Sequence, residues 1–150
     1  MSGGWSPPFR LVAAVALGGA AGAALRYAIE TIWPSPTGSW PVAIFAVNLV
    51  GCFVLGLLGG FLSRREILGR GPSDWVRPLL ITGVLGGFTT FSTMMVDAVN
   101  LADAQGILQA MAYLAASCAL GLLLLSLGWY LGVPGNLRAA TDELAESEQA

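Results

Sequence analysis

The chain contains neither lysine nor histidine, and only 11% of its residues are charged. Without histidine, the side chain that most often serves as acid, base or metal ligand near neutral pH is excluded. A soluble domain carries about 25% charged residues. A chain this poor in charge, 55% hydrophobic and with a mean hydropathy of +0.72, belongs in lipid. The two cysteines, Cys52 and Cys118, both fall inside apolar runs. They are expected as buried small hydrophobes, not as a disulfide or a metal pair. No carboxylate stands at the middle of an apolar run, since Glu30 and Asp97 lie toward the ends of theirs. That argues against a proton-coupled cation or drug transporter, which carries its substrate on an intramembrane acid. No phosphate loop, zinc spacing or nucleophile-and-base set occurs, so no enzyme is expected. Residues 1–9 lack the basic start of a signal peptide, and the apolar run behind them is too long for one. The net charge of −2 comes mostly from the tail and points to no partner.

What is present is four apolar runs, at about 11–33, 42–63, 78–102 and 107–133. Each is close to the ~20 residues that a bilayer-crossing helix needs. The first carries Gly18-Gly-Ala-Ala-Gly22, a small-residue face suited to close packing. Pro34 to Ser39 forms a turn between Trp33 and Trp40, which sit at interface depth. The second run holds Asn48, then Gly51, Gly56, Gly59 and Gly60. A loop from Arg64 to Arg77 carries four of the seven arginines, and a turn around Asp103 to Gly106 leads into the last run. Pro134-Gly135 closes that run. Residues 1–135 therefore read as a membrane domain, and 136–150 as a disordered acidic tail. The expected fold is all-α and integral to the membrane, with four helices and both termini on one side. Arg10, the loop arginines and Arg138 all fall on that side, which the positive-inside rule assigns to the cytoplasm.

The other elements are arranged around Gly83-Val-Leu-Gly-Gly-Phe-Thr-Thr-Phe-Ser-Thr-Met94. A membrane helix usually carries Leu, Ile or Val at its midpoint, and this one carries three glycines and four hydroxyls. Glycine loses the most backbone entropy in a helix, and Ser and Thr offer the backbone competing hydrogen bonds. Two readings fit. The helix is broken at the bilayer centre, where irregular backbone survives only beside a cavity or inside protein. Alternatively, Gly83-xxx-Gly87 marks a tight helix–helix crossing.

The remaining polar residues also carry two readings each. Asn48 makes either an interhelical hydrogen bond or a lining group of a pore. Arg26 either snorkels with Glu30 at i+4 or places a fixed positive charge at the mouth of an anion path. Phe91 beside Ser92 and Thr93 is more pointed, because aromatic ring edges are positive and hydroxyls donate, so together they suit a small anion. Tyr113, Ser117 and Gly121, spaced i, i+4, i+8, share a face of the last helix. The first two serve there as packing glue or extend a donor track.

In Gly18 to Tyr27, Val47-Asn-Leu-Val-Gly51 and above all Gly86-Gly-Phe-Thr-Thr-Phe-Ser-Thr93, the chain resembles the Fluc/CrcB family of fluoride channels across all four runs. The resemblance implies an antiparallel, dual-topology dimer with two fluoride paths along the subunit interface. It implies that Asn48 is the pore-lining amide and Arg26 the arginine of the vestibule. Phe91 would be the first ring to coordinate fluoride, Ser92 and Thr93 the hydroxyls beside it, and Tyr113 and Ser117 the polar track. The carbonyls of Gly86 and Thr89, with their symmetry mates, would hold a structural sodium ion at the break.

The chain departs from the family at three positions. Met94 replaces a second aromatic ring, Ile44 a threonine and Gly121 a frequent serine. The expected function is passive fluoride efflux across a bacterial inner membrane. A small four-helix cation or drug antiporter and a non-transporting membrane scaffold are its rivals. The one-sided arginines suggest a further expectation, since an antiparallel dimer needs subunits inserted both ways. The partner is then either a second copy or an oppositely biased paralogue.

Overall fold

The computed structural model describes residues 9–67, 69 and 74–133. The expected acidic tail lies outside them. Helix α1 spans Phe9–Ile32 and α2 spans Val42–Ile67. The third span opens with a π-helical stretch, Pro78–Leu85, and passes into the short α3, Gly86–Phe88. It is interrupted at Thr89 and Thr90 and resumes as α4, Phe91–Gln105. Helix α5 spans Ile107–Gly132. Counting the third span as one, four helices are long and apolar enough to cross a membrane, and no strand occurs among the described residues.

Two boundaries differ from the sequence reading. Helix α2 runs past Ser63 into Arg64 and Arg65. Arginine is a good helix former, and its charge complements the negative end of the helix dipole. The turn expected over Asp103 to Gly106 shrinks to one residue. Gly106, at φ 95°, reverses the chain alone, a conformation open to glycine without a Cβ penalty. Gln105 Nε2 then donates to the Gly38 carbonyl at 2.7 Å, tying this corner to the turn between α1 and α2.

The helices pack along two glycine-rich seams. Helix α1 lies along the π-helical stretch and α3, while α2 lies along α5. A Cβ on Gly22 would strike the Val84 carbonyl oxygen, and one on Gly87 the Gly19 carbonyl. On the second seam, a Cβ on Gly56 would meet the Leu125 carbonyl and one on Gly128 the Phe53 carbonyl. Such approaches let whole helix backbones touch, which is how membrane helices gain packing energy without a hydrophobic drive between them. Helix α4 then leaves α1 and packs on α5. The interruption at Thr89–Thr90 is what lets the third span change partners halfway through.

Both readings of Gly83 to Met94 therefore hold together. Gly83 and Gly87 pack against α1, and the helix also breaks. It does not break at the glycines, however, since Gly86 and Gly87 are helical. It opens at the two threonines, which take extended backbone at φ −77°, ψ 154° and φ −146°, ψ 126°.

The apolar core sits between α2, α4 and α5. Ile44, Met94, Ala98, Leu101 and Tyr113 form one buried cluster, flanked by Trp40, Phe45, Met95 and Leu114.

The α1 seam makes a direct prediction. Gly22→Ala should lower the thermal stability of the detergent-solubilised protein by about 1–3 kcal/mol, because a methyl there overpacks against backbone. Gly19→Ala, whose Cβ meets nothing within 4 Å, should be neutral or slightly stabilising. Equal melting temperatures for the two variants would contradict the seam.

Candidate functional site

The site begins with a backbone that cannot complete its own ladder. In an unbroken helix the Thr90 N–H would bond the Gly86 carbonyl four residues back. It instead donates to Asn48 Oδ1 at 2.9 Å, and Asn48 Nδ2 donates to the Thr90 carbonyl at 3.0 Å. The side-chain amide thus pairs with one residue of the third span as a neighbouring strand would. An asparagine amide carries two N–H donors, so one remains for a ligand after this pairing.

The ends of the break are finished by hydroxyls. Thr89 Oγ1 donates to the Leu85 carbonyl at 2.8 Å, beside the backbone bond from Thr89 N–H to the same oxygen at 2.9 Å. Thr90 Oγ1 accepts from the Thr93 N–H at 3.1 Å and caps α4. The same hydroxyl donates to Thr93 Oγ1 at 3.0 Å and lies 3.3 Å from Ser92 Oγ. Thr93 accepts in this chain, so its own hydroxyl proton is left to donate elsewhere. The N-terminus of α4, with its partial positive charge, therefore falls in the middle of a span, a setting that favours an anion.

Asn48, Thr89, Thr90 and Phe91 line an open groove of about 520 Å³ together with Ser117 of α5. The rest of its wall is mostly apolar, with Gly86 and Met94 also lining it. Phe91 is 70% exposed and stands beside this run of hydroxyls. Ser117 Oγ donates to the Tyr113 carbonyl at 2.7 Å, so toward the groove it offers lone pairs until that hydroxyl rotates. The expected lining residues Asn48, Phe91 and Ser117 are thus gathered from three helices, with Ser92 and Thr93 at the adjoining turn.

Of the other expected positions, Met94 lines the groove, whereas Tyr113 and Arg26 do not. Tyr113 is fully buried and does not line the groove. Its ring meets Trp40 edge-on at 5.6 Å and Phe45 at 6.1 Å, and its hydroxyl has no hydrogen-bond partner within the described residues. Met94 belongs to the buried cluster with Ile44, though it also touches the groove. Two of the departures from the resembled family therefore share one apolar core. Arg26 pairs with Glu30 Oε1 at 3.0 Å and reaches the Gly87 carbonyl at 3.4 Å, so the snorkelling pair is present. The cysteines correct the sequence reading as well. Cys118 is exposed and Cys52 only half-buried, because both face the groove.

Two residues carry a role in the site that the sequence does not assign them. Thr90 is both the partner of Asn48 and the cap of α4, and its signal was a threonine three residues before Thr93, at capping distance. Gly51 lines the groove against the Thr89 methyl group, where a Cβ would collide.

Residues 13–129 match the family described as CrcB-like protein, Camphor Resistance (CrcB). The chain is 46% identical over 114 residues to a protein of Streptomyces coelicolor named fluoride-specific ion channel FluC 1, covering 76% of this chain and 71% of the relative. It is 40% identical over 119 residues to the fluoride-specific ion channel FluC of Helicobacter acinonychis, covering 77% and 90% respectively. The matched residues reach into all four membrane helices and include the whole Asn48–Thr90 site, and this multi-pass membrane protein belongs to the CrcB family.

Proposed function

We propose that the chain is a subunit of a passive fluoride channel that lowers cytoplasmic fluoride across a bacterial inner membrane. The observation that carries this reading is the amide clasp. Asn48 holds the third span open beside an exposed aromatic ring and a run of hydroxyls, and the relatives are named as fluoride-specific channels. A bare fluoride ion must replace its water with donors and ring edges. The remaining Asn48 N–H, the Phe91 ring edge and the hydroxyls of Ser92, Thr93 and Ser117 supply those in sequence. Arg26 keeps guanidinium donors beyond its contacts with Glu30 and Gly87, enough to draw an anion toward the mouth. Tyr113 and Met94 act from behind, fixing the wall. Fluoride enters cells as neutral HF and is trapped as the anion at higher internal pH, so a passive path suffices for export.

In liposomes carrying the purified assembly, Asn48→Asp or Phe91→Ile should abolish fluoride efflux read by a fluoride electrode. Both variants should still elute as the intact assembly. Undiminished efflux in the two variants would sink the assignment.

The channel unit in this reading is an antiparallel dimer. Phe91 lies on a face that one subunit leaves uncovered. The Gly86 carbonyl has lost its helical partner to Asn48, and the Thr89 carbonyl belongs to extended backbone. These are hard oxygen donors of the kind that suits an alkali cation, so Gly86 and Thr89 with their mates would hold a sodium ion that offsets the unpaired dipoles. Exchanging sodium for a bulky organic cation throughout purification should lower the melting temperature of the assembly. An unchanged melting temperature would rule the ion out as structural.

The identity of the partner follows from the arginines, six of the seven of which flank one end of the spans, Arg26 alone lying inside one. Expressed alone with reporters at its C-terminus, the chain should read out mainly from the cytoplasm, which calls for an oppositely biased paralogue. Comparable signals from both sides would show instead that it pairs with itself.

A further inference from the structure

The groove contains a feature that fluoride passage does not use. Cys52 on α2 and Cys118 on α5 both line it, and both are free thiols. The two helices are closely packed here. Cys52 Sγ lies within 3.3 Å of where a Cβ on Gly121 would stand, and Gly121 follows Cys118 by three residues on α5. Positions three apart share a helix face, so glycine at 121 leaves room beside the Cys52 thiol on the face that Cys118 adjoins. The Met94 thioether lines the same groove, whereas no carboxylate does. Its wall therefore gathers sulfur donors from three helices without a competing hard anionic ligand.

We propose that Cys52 and Cys118 form a joint binding site for a soft, thiophilic cation of the Hg²⁺ or Ag⁺ class, and that its occupancy closes the groove to ions. Thiolate sulfur selects such metals over hard ones. Each S–H bond is replaced by a sulfur–metal bond and each proton passes to water, so binding needs no oxidant. Bridging by Hg²⁺ consumes both thiolate charges and leaves a neutral crosslink between α2 and α5. Because the second thiol acts at the high effective concentration set by the packed helices, the bridge is tighter than either sulfur alone. The closure, but not the metal site, rests on the channel reading.

The test uses the purified full-length assembly and HgCl₂ as the probe. Thiol titration and intact mass should show one Hg²⁺ per chain with both thiols blocked together. In liposomes the same metal should stop fluoride efflux, and dithiothreitol should restore it. Cys52→Ala and Cys118→Ala should each need at least about tenfold more metal for block. The double variant should keep its own efflux unchanged by metal. Two mercury atoms per chain, or equal block of the double variant, would overturn the site. A bridged adduct with undiminished efflux would overturn its placement in the path. A bridged adduct on a chain that carries no fluoride even without metal would uphold the site and reject the channel.

Discussion

The pairing of the Asn48 side chain with the Thr90 backbone is the constraint on which the rest depends. A peptide group freed from its helix inside a membrane has no water to turn to, and leaving it unpaired costs several kcal/mol. The amide answers the N–H and the carbonyl of one residue together. With that one side chain in place, the third span can open at mid-membrane. The Gly86 carbonyl loses its usual partner, and the capped start of α4 is delivered into the groove. Removing the amide would strand the Thr90 N–H, since the Thr90 carbonyl also accepts the first helical bond of α4, so the position calls for a side chain that can accept from that N–H.

The opening also organises the packing. The π-helical stretch and α3 can follow α1 at backbone contact because Gly18, Gly22, Gly83 and Gly87 carry no side chains there. Helix α4 needs a different direction to reach α5 and the Ile44–Met94–Tyr113 cluster. A straight helix could not serve both neighbours. The glycines, the threonines and the asparagine thus solve one problem at three levels, respectively permitting contact, ending and restarting the helix, and closing its loose bonds.

Much of this was legible in the sequence. The four spans follow from apolar run length, and the Arg26–Glu30 pair from its i+4 spacing. The peculiar centre of the third span was visible from its composition, and Asn48 stood out as a lone amide in a span. Its partner was not visible, because Thr90 lies 42 residues further along the chain and meets Asn48 only through tertiary packing. The glycines and the hydroxyls both point to a break in this stretch, but a glycine packed against α1 stays helical, while a threonine able to cap ends the helix. Tyr113 follows the packing alternative of its two readings. Its spacing with Ser117 correctly predicts a shared buried face, but the rings of Trp40 and Phe45 that enclose it come from another part of the chain. The cysteines looked like core residues because an apolar run says nothing about which of its faces borders a groove.

Backbone hydrogen exchange across the break, read by mass spectrometry on the membrane-reconstituted protein, tests this account most directly. With Asn48 in place, a peptide covering residues 88–93 should be protected. Asn48→Ala should speed its exchange by roughly tenfold or more, as loss of a buried hydrogen-bonded partner costs about 1–3 kcal/mol. A peptide from the second half of α4, residues 97–104, should exchange as before. Equal protection of residues 88–93 in the two proteins would mean that the third span stays open without its clasp, and would contradict the account.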